Sequence, residues 1–187
     1  MKKVRIPQPT HWHKPGQPKF YGLDCPHPGN LVKVGNHKIM AGAIRYLTPL
    51  ETGKADLVIP LNQVIVARLG QKINILACPW ADYDPPPIDF NRFLKEEVIP
   101  QLENRKKILV YCTGGHGRTG TFVASLISIL EPEISDPILE IRKRYCKQAV
   151  ETFAQAESIF ALRGMELPQR YGEEFFTERE YWGLPNF

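Results

Sequence analysis

Cys112 and Arg118 are separated by five residues, Thr113-Gly-Gly-His-Gly117, and Thr119 and Gly120 follow at once. A cysteine thiolate is a strong nucleophile, and a guanidinium clamps two oxygens of a tetrahedral anion with parallel N–H bonds. Glycines at 114, 115, 117 and 120 let successive backbone N–H groups turn inward around such an anion. The apolar run Lys106–Tyr111 ends on the cysteine, and a helical run, Thr121–Leu130, follows the loop. A strand, a glycine-rich turn and a helix in that order form an oxyanion cradle, because the helix start offers unpaired N–H groups and the positive end of its dipole. Thr113, Gly114, Gly115, His116, Gly117 and Arg118 are the expected phosphate-binding residues, with Cys112 attacking phosphorus. Thr119 is placed to donate its hydroxyl to the cysteine sulfur as that sulfur leaves.

Other readings of the same residues are weaker. Gly115-His-Gly-Arg-Thr-Gly120 matches the dinucleotide pattern G-x-G-x-x-G. That pattern needs a second strand ending in an acid about 20 residues on, whereas 131–145 reads as helical. A Walker A loop fails because arginine stands where lysine is required. A buried structural cysteine beside a glycine turn is the plain alternative to a nucleophile.

The stretch YCTGGHGRTG resembles the H-C-x5-R-[ST] signature of the protein tyrosine phosphatase superfamily, and its size and loop resemble the dual-specificity-like branch. The resemblance implies a sheet flanked by helices, two-step hydrolysis through a phosphocysteine, and neither metal nor cofactor. Tyr111 stands where the family has histidine. Phosphomonoester hydrolysis also needs an acid for the leaving oxygen, and Pro79-Trp-Ala-Asp82-Tyr-Asp84-Pro-Pro-Pro87 supplies two carboxylates. Trp80-Ala-Asp82 is similar to the family's W-P-D, which makes Asp82 the expected acid and Asp84 the alternative. Either aspartate could instead be a turn residue.

Ile141–Arg144 and Val150–Gln155 resemble an R-x-x-R and a Q-T-x-x-Q stretch, so Glu151 and Gln155 are candidates for positioning the hydrolytic water. A helix first-turn acid is the other reading of Glu151. Arg144 is expected to support the loop or another acid. No counterpart of the tyrosine-specific N-x-x-K-N-R-Y segment is present. The resemblance therefore implies phosphotyrosine with phosphoserine and phosphothreonine as substrates. A catalytically weak phosphate-binding module, or a phosphatase for phosphoinositides or RNA 5'-phosphates, is the alternative.

These groups need a scaffold. Asp56–Leu61, Lys72–Ala77 and Lys106–Tyr111 read as buried strands. Asp89 caps a helix bearing Phe90, Phe93, Leu94, Val98 and Leu102, which Pro100 should kink or shorten. Asp136-Pro137 opens a helix over 137–147, and Phe153, Ala156, Phe160 and Ala161 line a last helix ending near Gly164. The pattern predicts one α/β domain, with a mostly parallel twisted sheet flanked by helices, over 31–187. A proline-rich arm occupies 1–30, and the tail from Tyr171 to Phe187 should pack on the domain.

Composition bounds the partners. The 187 residues carry a net charge of +4, which suits an anionic ligand and is too mild to indicate nucleic acid. The expected partner is a phosphorylated protein or another phosphomonoester, and no residue pattern speaks to oligomeric state. Four cysteines, at 25, 78, 112 and 146, form no C-x-x-C pair, and no apolar run is long enough for a membrane span. MKKVRIPQPT lacks the apolar stretch of a secretory signal, so a cytoplasmic protein with reduced thiols is expected. His11, His13, Cys25 and His27 include metal-ligand types, but their spacing matches no zinc motif and no metal is expected.

Overall fold

The computed structural model describes residues 25–48, 53–63 and 74–181. Its centre is the strand Ile108–Cys112, β5, buried along its whole length as an Ile/Leu/Val run inside an α/β sheet should be. The other strands are β1 (Pro28–Val34), β2 (His37–Ala43), β3 (Leu57–Pro60) and β4 (Asn74–Ile75). They form one sheet in the order β1-β2-β5-β3-β4. Only the β1–β2 hairpin is antiparallel, while β2, β5, β3 and β4 run parallel. The single α/β domain with a mostly parallel sheet is as expected.

Helices cover the sheet. α1 (Phe90–Phe93) continues through a π turn, Leu94–Val98, into α2 (Ile99–Glu103). Pro100 has no N–H to give to the ladder, and the turn ahead of it widens, with Ile99 N–H reaching back to the Leu94 carbonyl. α3 (Gly117–Leu130) is buried on every side from Gly117 to Ser128, which marks the central helix of the fold. α4 (Pro137–Arg144) is capped by Asp136, whose carboxylate accepts from Leu139 N–H at 2.9 Å. α5 (Phe153–Ala161) is capped by Thr152, and α6 (Gln169–Tyr181) follows.

Several boundaries differ from expectation. β4 is a short, exposed edge strand and not a buried one, because no further strand covers it among the described residues. α5 is not the last helix: α6 buries Tyr171 and Phe175 in the core, which is how the start of the tail packs. β1 begins at Pro28, inside the stretch expected as an arm, and the rest of that arm lies outside the described residues. Among the described residues no helix is long and apolar enough to cross a membrane.

Candidate functional site

β5 delivers Cys112 and α3 delivers Arg118, with the loop 113–116 between them. The Gly115 N–H donates to Cys112 Sγ at 3.1 Å. Gly115 has a φ of 82°, and a Cβ there would meet His27 Cδ2 at 2.9 Å and Ala43 Cβ at 3.0 Å, so the turn requires glycine. Cys112 is 2% exposed and Arg118 is 4% exposed, which puts both at the floor of the site.

Arg118 ties four segments together. Its Nη1 donates to the carbonyls of Leu61 (3.3 Å) and Trp80 (2.9 Å). Its Nη2 donates to Thr113 Oγ1 and pairs with Asp82 Oδ1, each at 3.1 Å. Nε is buried without a partner among the described residues, a donor left over for an oxyanion. Asn62 Nδ2 also donates to Thr113 Oγ1, at 3.3 Å. Cys112, Asn62 and the 79–84 loop all follow the carboxyl ends of parallel strands, where α/β sheets bind ligands.

The 79–84 loop is docked on the body. Trp80 is buried edge-on against Phe90 at 5.5 Å, and Phe90 against Phe122 at 5.8 Å. Each such ring pair adds about 0.5–1.5 kcal/mol beyond area burial. Tyr83 takes a φ of 66° and its carbonyl accepts from Thr152 Oγ1 at 2.9 Å. The Asp84 carbonyl accepts from Gln155 Nε2 at 3.4 Å. Burial pushes the Tyr83 hydroxyl pKa upward, helped by the carboxylates of Glu151 and Asp82 and opposed by Arg118, so these charges converge beside it. Of the two candidate acids, Asp82 is the one brought to Arg118, and Asp84 contributes its backbone to the loop's docking.

Glu151 and Gln155 reach the site from its other wall. Gln155 is fully buried, and its Oε1 accepts from Glu151 N–H at 3.0 Å. A Cβ on Gly117 would meet Glu151 Oε2, and Gln155 Oε1 at 3.1 Å, which places both side chains over the start of α3. Glu151 precedes the Thr152 cap and so lies outside the first turn of α5, against the helix-acid reading. Val150 is held at a φ of 67°, a strained region for a β-branched residue. Arg142 fixes that bend: its Nε donates to the Ala149 carbonyl (3.0 Å), and its Nη2 donates to that of Val150 (3.2 Å) and pairs with Glu174 (2.9 Å). Arg144, as expected of a supporting residue, pairs with Glu131 at 2.6 Å and Glu140 at 2.7 Å.

Two loop residues are engaged differently from expectation. Thr119 Oγ1 donates to the Gly42 carbonyl at 3.3 Å and not to Cys112 Sγ. The His116 ring is buried, with Nδ1 3.3 Å from Cys146 Sγ and 3.4 Å from His27 Nε2, while Nε2 has no partner among the described residues. Asn62 and Arg142 escaped sequence reasoning as site residues. Asn62 could have been found, since it follows the expected strand Asp56–Leu61, and the carboxyl ends of parallel strands are where α/β sheets bind ligands. Arg142 lies in the Ile141–Arg144 stretch, but its role depends on the bend at 149–150 and on Glu174 folding against it.

Residues 58–166 match the family model PTP-SAK, described as Swiss Army Knife protein, DSP-PTPase phosphatase domain. Two uncharacterized proteins of Methanocaldococcus jannaschii are similar. MJ0215 is 33% identical over 105 residues, 56% of this chain and 64% of that protein. MJECL20 is 34% identical over 94 residues, 50% of this chain and 63% of that protein. The chain therefore spans less than two thirds of the length of either relative. Among solved structures, Tk-PTP in its active form gives a TM-score of 0.58 at 19% identity, covering 71% of this chain and 95% of that one. Kinase associated phosphatase, with its catalytic cysteine changed to serine, gives 0.58 at 20% identity, covering 73% and 94%. DUSP15 gives 0.56 at 20% identity, covering 79% and 97%. These likenesses show the shared fold. With the family model matching more than half of the chain and the phosphatase fold beneath it, this chain belongs to the DSP-PTPase phosphatase-domain family of Swiss Army Knife proteins.

Proposed function

We propose that the domain hydrolyses phosphomonoesters by double displacement at Cys112, with phosphotyrosine as the leading substrate and phosphoserine and phosphothreonine accepted. Cys112 Sγ attacks phosphorus while the P–O bond to the leaving group breaks, and Asp82 gives that oxygen its proton. The loop N–H groups and the Nε edge of Arg118 hold the equatorial oxygens through both steps. Water, positioned by Glu151 and Gln155, then attacks the phosphocysteine, returning the thiolate and inorganic phosphate, and Asp82 takes up the water's proton.

The observation that carries the reading is the Gly115 N–H on Cys112 Sγ within the loop that also returns Arg118 to Asp82. Exposed Tyr83 on the acid loop offers an aromatic face to an aryl phosphate. The test is turnover of matched phosphotyrosine, phosphoserine and phosphothreonine peptides, beside phosphoinositides and an RNA 5'-phosphate, by wild type and Cys112→Ser. Loss of turnover with retained peptide binding in Cys112→Ser is expected. Unchanged turnover would falsify the covalent route, and preference for a non-protein phosphate would move the substrate class. The Glu151 carboxylate over Gly117 favours a second reading, a phosphate-binding module with little turnover, since it opposes another anion there. Wild type that binds phosphopeptide and releases no phosphate is the outcome that selects it.

A further inference from the structure

Cys25, His27, His116 and Cys146 come from three separated segments: the residues ahead of β1, the phosphate-binding loop, and the chain after α4. One ligand-type atom from each lies within 4.8 Å of all the others. Cys25 Sγ is 3.4 Å from Cys146 Sγ, His27 Nε2 is 3.4 Å from His116 Nδ1, and His116 Nδ1 is 3.3 Å from Cys146 Sγ. His27 is 1% exposed, and His116 and Cys146 are 4% exposed. Both cysteines are free thiols.

We infer that these four side chains form a tetrahedral Cys2His2 zinc site that fixes the back of the phosphate-binding loop. Two thiols and two imidazoles converge on one largely buried spot, and a single divalent ion there would take a lone pair from each of the four. With Zn–S near 2.3 Å and Zn–N near 2.0–2.1 Å, a tetrahedron has S···S edges of about 3.8 Å and N···N edges of about 3.3 Å. Three of the six separations, 3.3–3.4 Å, are close to those edges, and the rest lie within 4.8 Å, so binding would draw the four atoms inward. Two thiolates cancel the charge of the ion, so the filled centre is neutral and suits burial. A mixed sulfur and nitrogen set of four favours zinc over the oxygen-loving cations, and four protein ligands leave no open position for chemistry.

The surroundings fit such a centre. Gln148 N–H donates to Cys146 Sγ at 3.4 Å, an outer contact suited to a thiolate. The Tyr145 ring lies 4.6 Å from that of His27, and its hydroxyl donates to the Gly115 carbonyl at 2.7 Å. Gly115 and His116 would thus be held from behind while their N–H groups face the anion. Of the ligand-type residues His11, His13, Cys25 and His27, whose spacing matches no zinc motif, Cys25 and His27 meet His116 and Cys146, and His11 and His13 lie outside the described residues.

The test is metal analysis of the full chain purified under reducing conditions from zinc-supplemented cells. About one zinc per chain is expected in wild type and in a Cys78→Ala control, falling at least roughly tenfold in Cys25→Ser and His27→Ala. His27→Cys should restore zinc, because three thiolates and one imidazole also make a closed site. Cobalt substitution should give thiolate-to-cobalt charge-transfer absorption in wild type, and a strong chelator should lower Tm in wild type and leave Cys25→Ser unmoved. Wild type holding less than about a tenth of an equivalent of zinc and taking up no cobalt overturns the site. So does a Cys25–Cys146 disulfide in the reduced-purified protein, or zinc content that survives both Cys25→Ser and His27→Ala. None of these readouts depends on phosphatase activity.

Discussion

Arg118 and Asp82 form an ion pair of 3.1 Å in which the guanidinium is 5% exposed and the carboxylate 48%. The buried partner belongs to the phosphate loop and the half-exposed one to the docked 79–84 loop. The pair therefore holds the candidate acid at the mouth of the site before any substrate arrives. In the proposed mechanism, a phosphate that takes over the guanidinium would leave the carboxylate beside the leaving oxygen.

Replacing Asp82 by alanine should lower kcat about 10²–10⁴-fold for alkyl phosphates, the usual worth of a positioned acid. The loss should be smaller for an aryl phosphate whose leaving group needs little protonation. The fall in rate on the alkaline side, where a general acid has lost its proton, should flatten in the variant. Asp84→Ala should stay near wild type. The reverse ranking in a pH–rate series would move the acid to Asp84.

Gln155 joins the two walls of the site, accepting from Glu151 N–H and donating to the Asp84 carbonyl. Gln155→Ala leaves the partly buried Glu151 N–H without its acceptor, costing about 1 kcal/mol. Deuterium exchange of the 79–84 loop should rise, and acid-quenched phosphoenzyme should accumulate because the water step slows more than the first step. Equal slowing of both steps, with unchanged exchange, would reduce Gln155 to a packing residue.

Much of this was legible in the sequence because the determinants are local. The apolar run of β5, the glycines and the helix start share one short stretch, and the Asp136-Pro137 cap needs only its own helix. What was not legible depends on contacts between distant segments. His116 reads as a loop histidine until His27 and Cys146 fold against it. Thr119 reads as facing the sulfur until β2 supplies the Gly42 carbonyl. The exposure of β4 depends on its place at the sheet edge, which no window of residues carries.

Gly120 and Gly114 should respond differently to alanine. A Cβ on Gly120 would meet Val150 N and Ala149 Cβ at 2.8 Å and Ala149 Cα at 2.9 Å, largely backbone that Arg142 holds in place. Such overpacking costs about 1–3 kcal/mol, or a Tm lower by about 2–4 °C for each kcal/mol at this chain length. A Cβ on Gly114 meets only His116 Cδ2 at 3.4 Å, an ordinary contact. Thermal unfolding should therefore show Gly120→Ala well below wild type and Gly114→Ala close to it. Equal midpoints would mean that the 149–150 segment yields.

Acid should weaken the join between the β1–β2 turn, α3 and α4. The Glu131 carboxyl is held below its ordinary pKa of 4.5, first by the hydrogen bond from Arg144 and also by the Gly35 N–H, against the cost of burial. A group whose folded value is depressed contributes stability that is present above its unfolded value and is lost as pH falls through the folded value. Glu131→Gln should thus cost most near neutrality, roughly 1–3 kcal/mol for a half-buried pair with paired N–H contacts. The gap between the variant and wild type should close as pH drops below the folded value of Glu131, because protonated Glu131 resembles glutamine. Urea unfolding at about pH 7 and about pH 3 checks this. A gap that persists undiminished in acid would assign the stability to packing and not to charge.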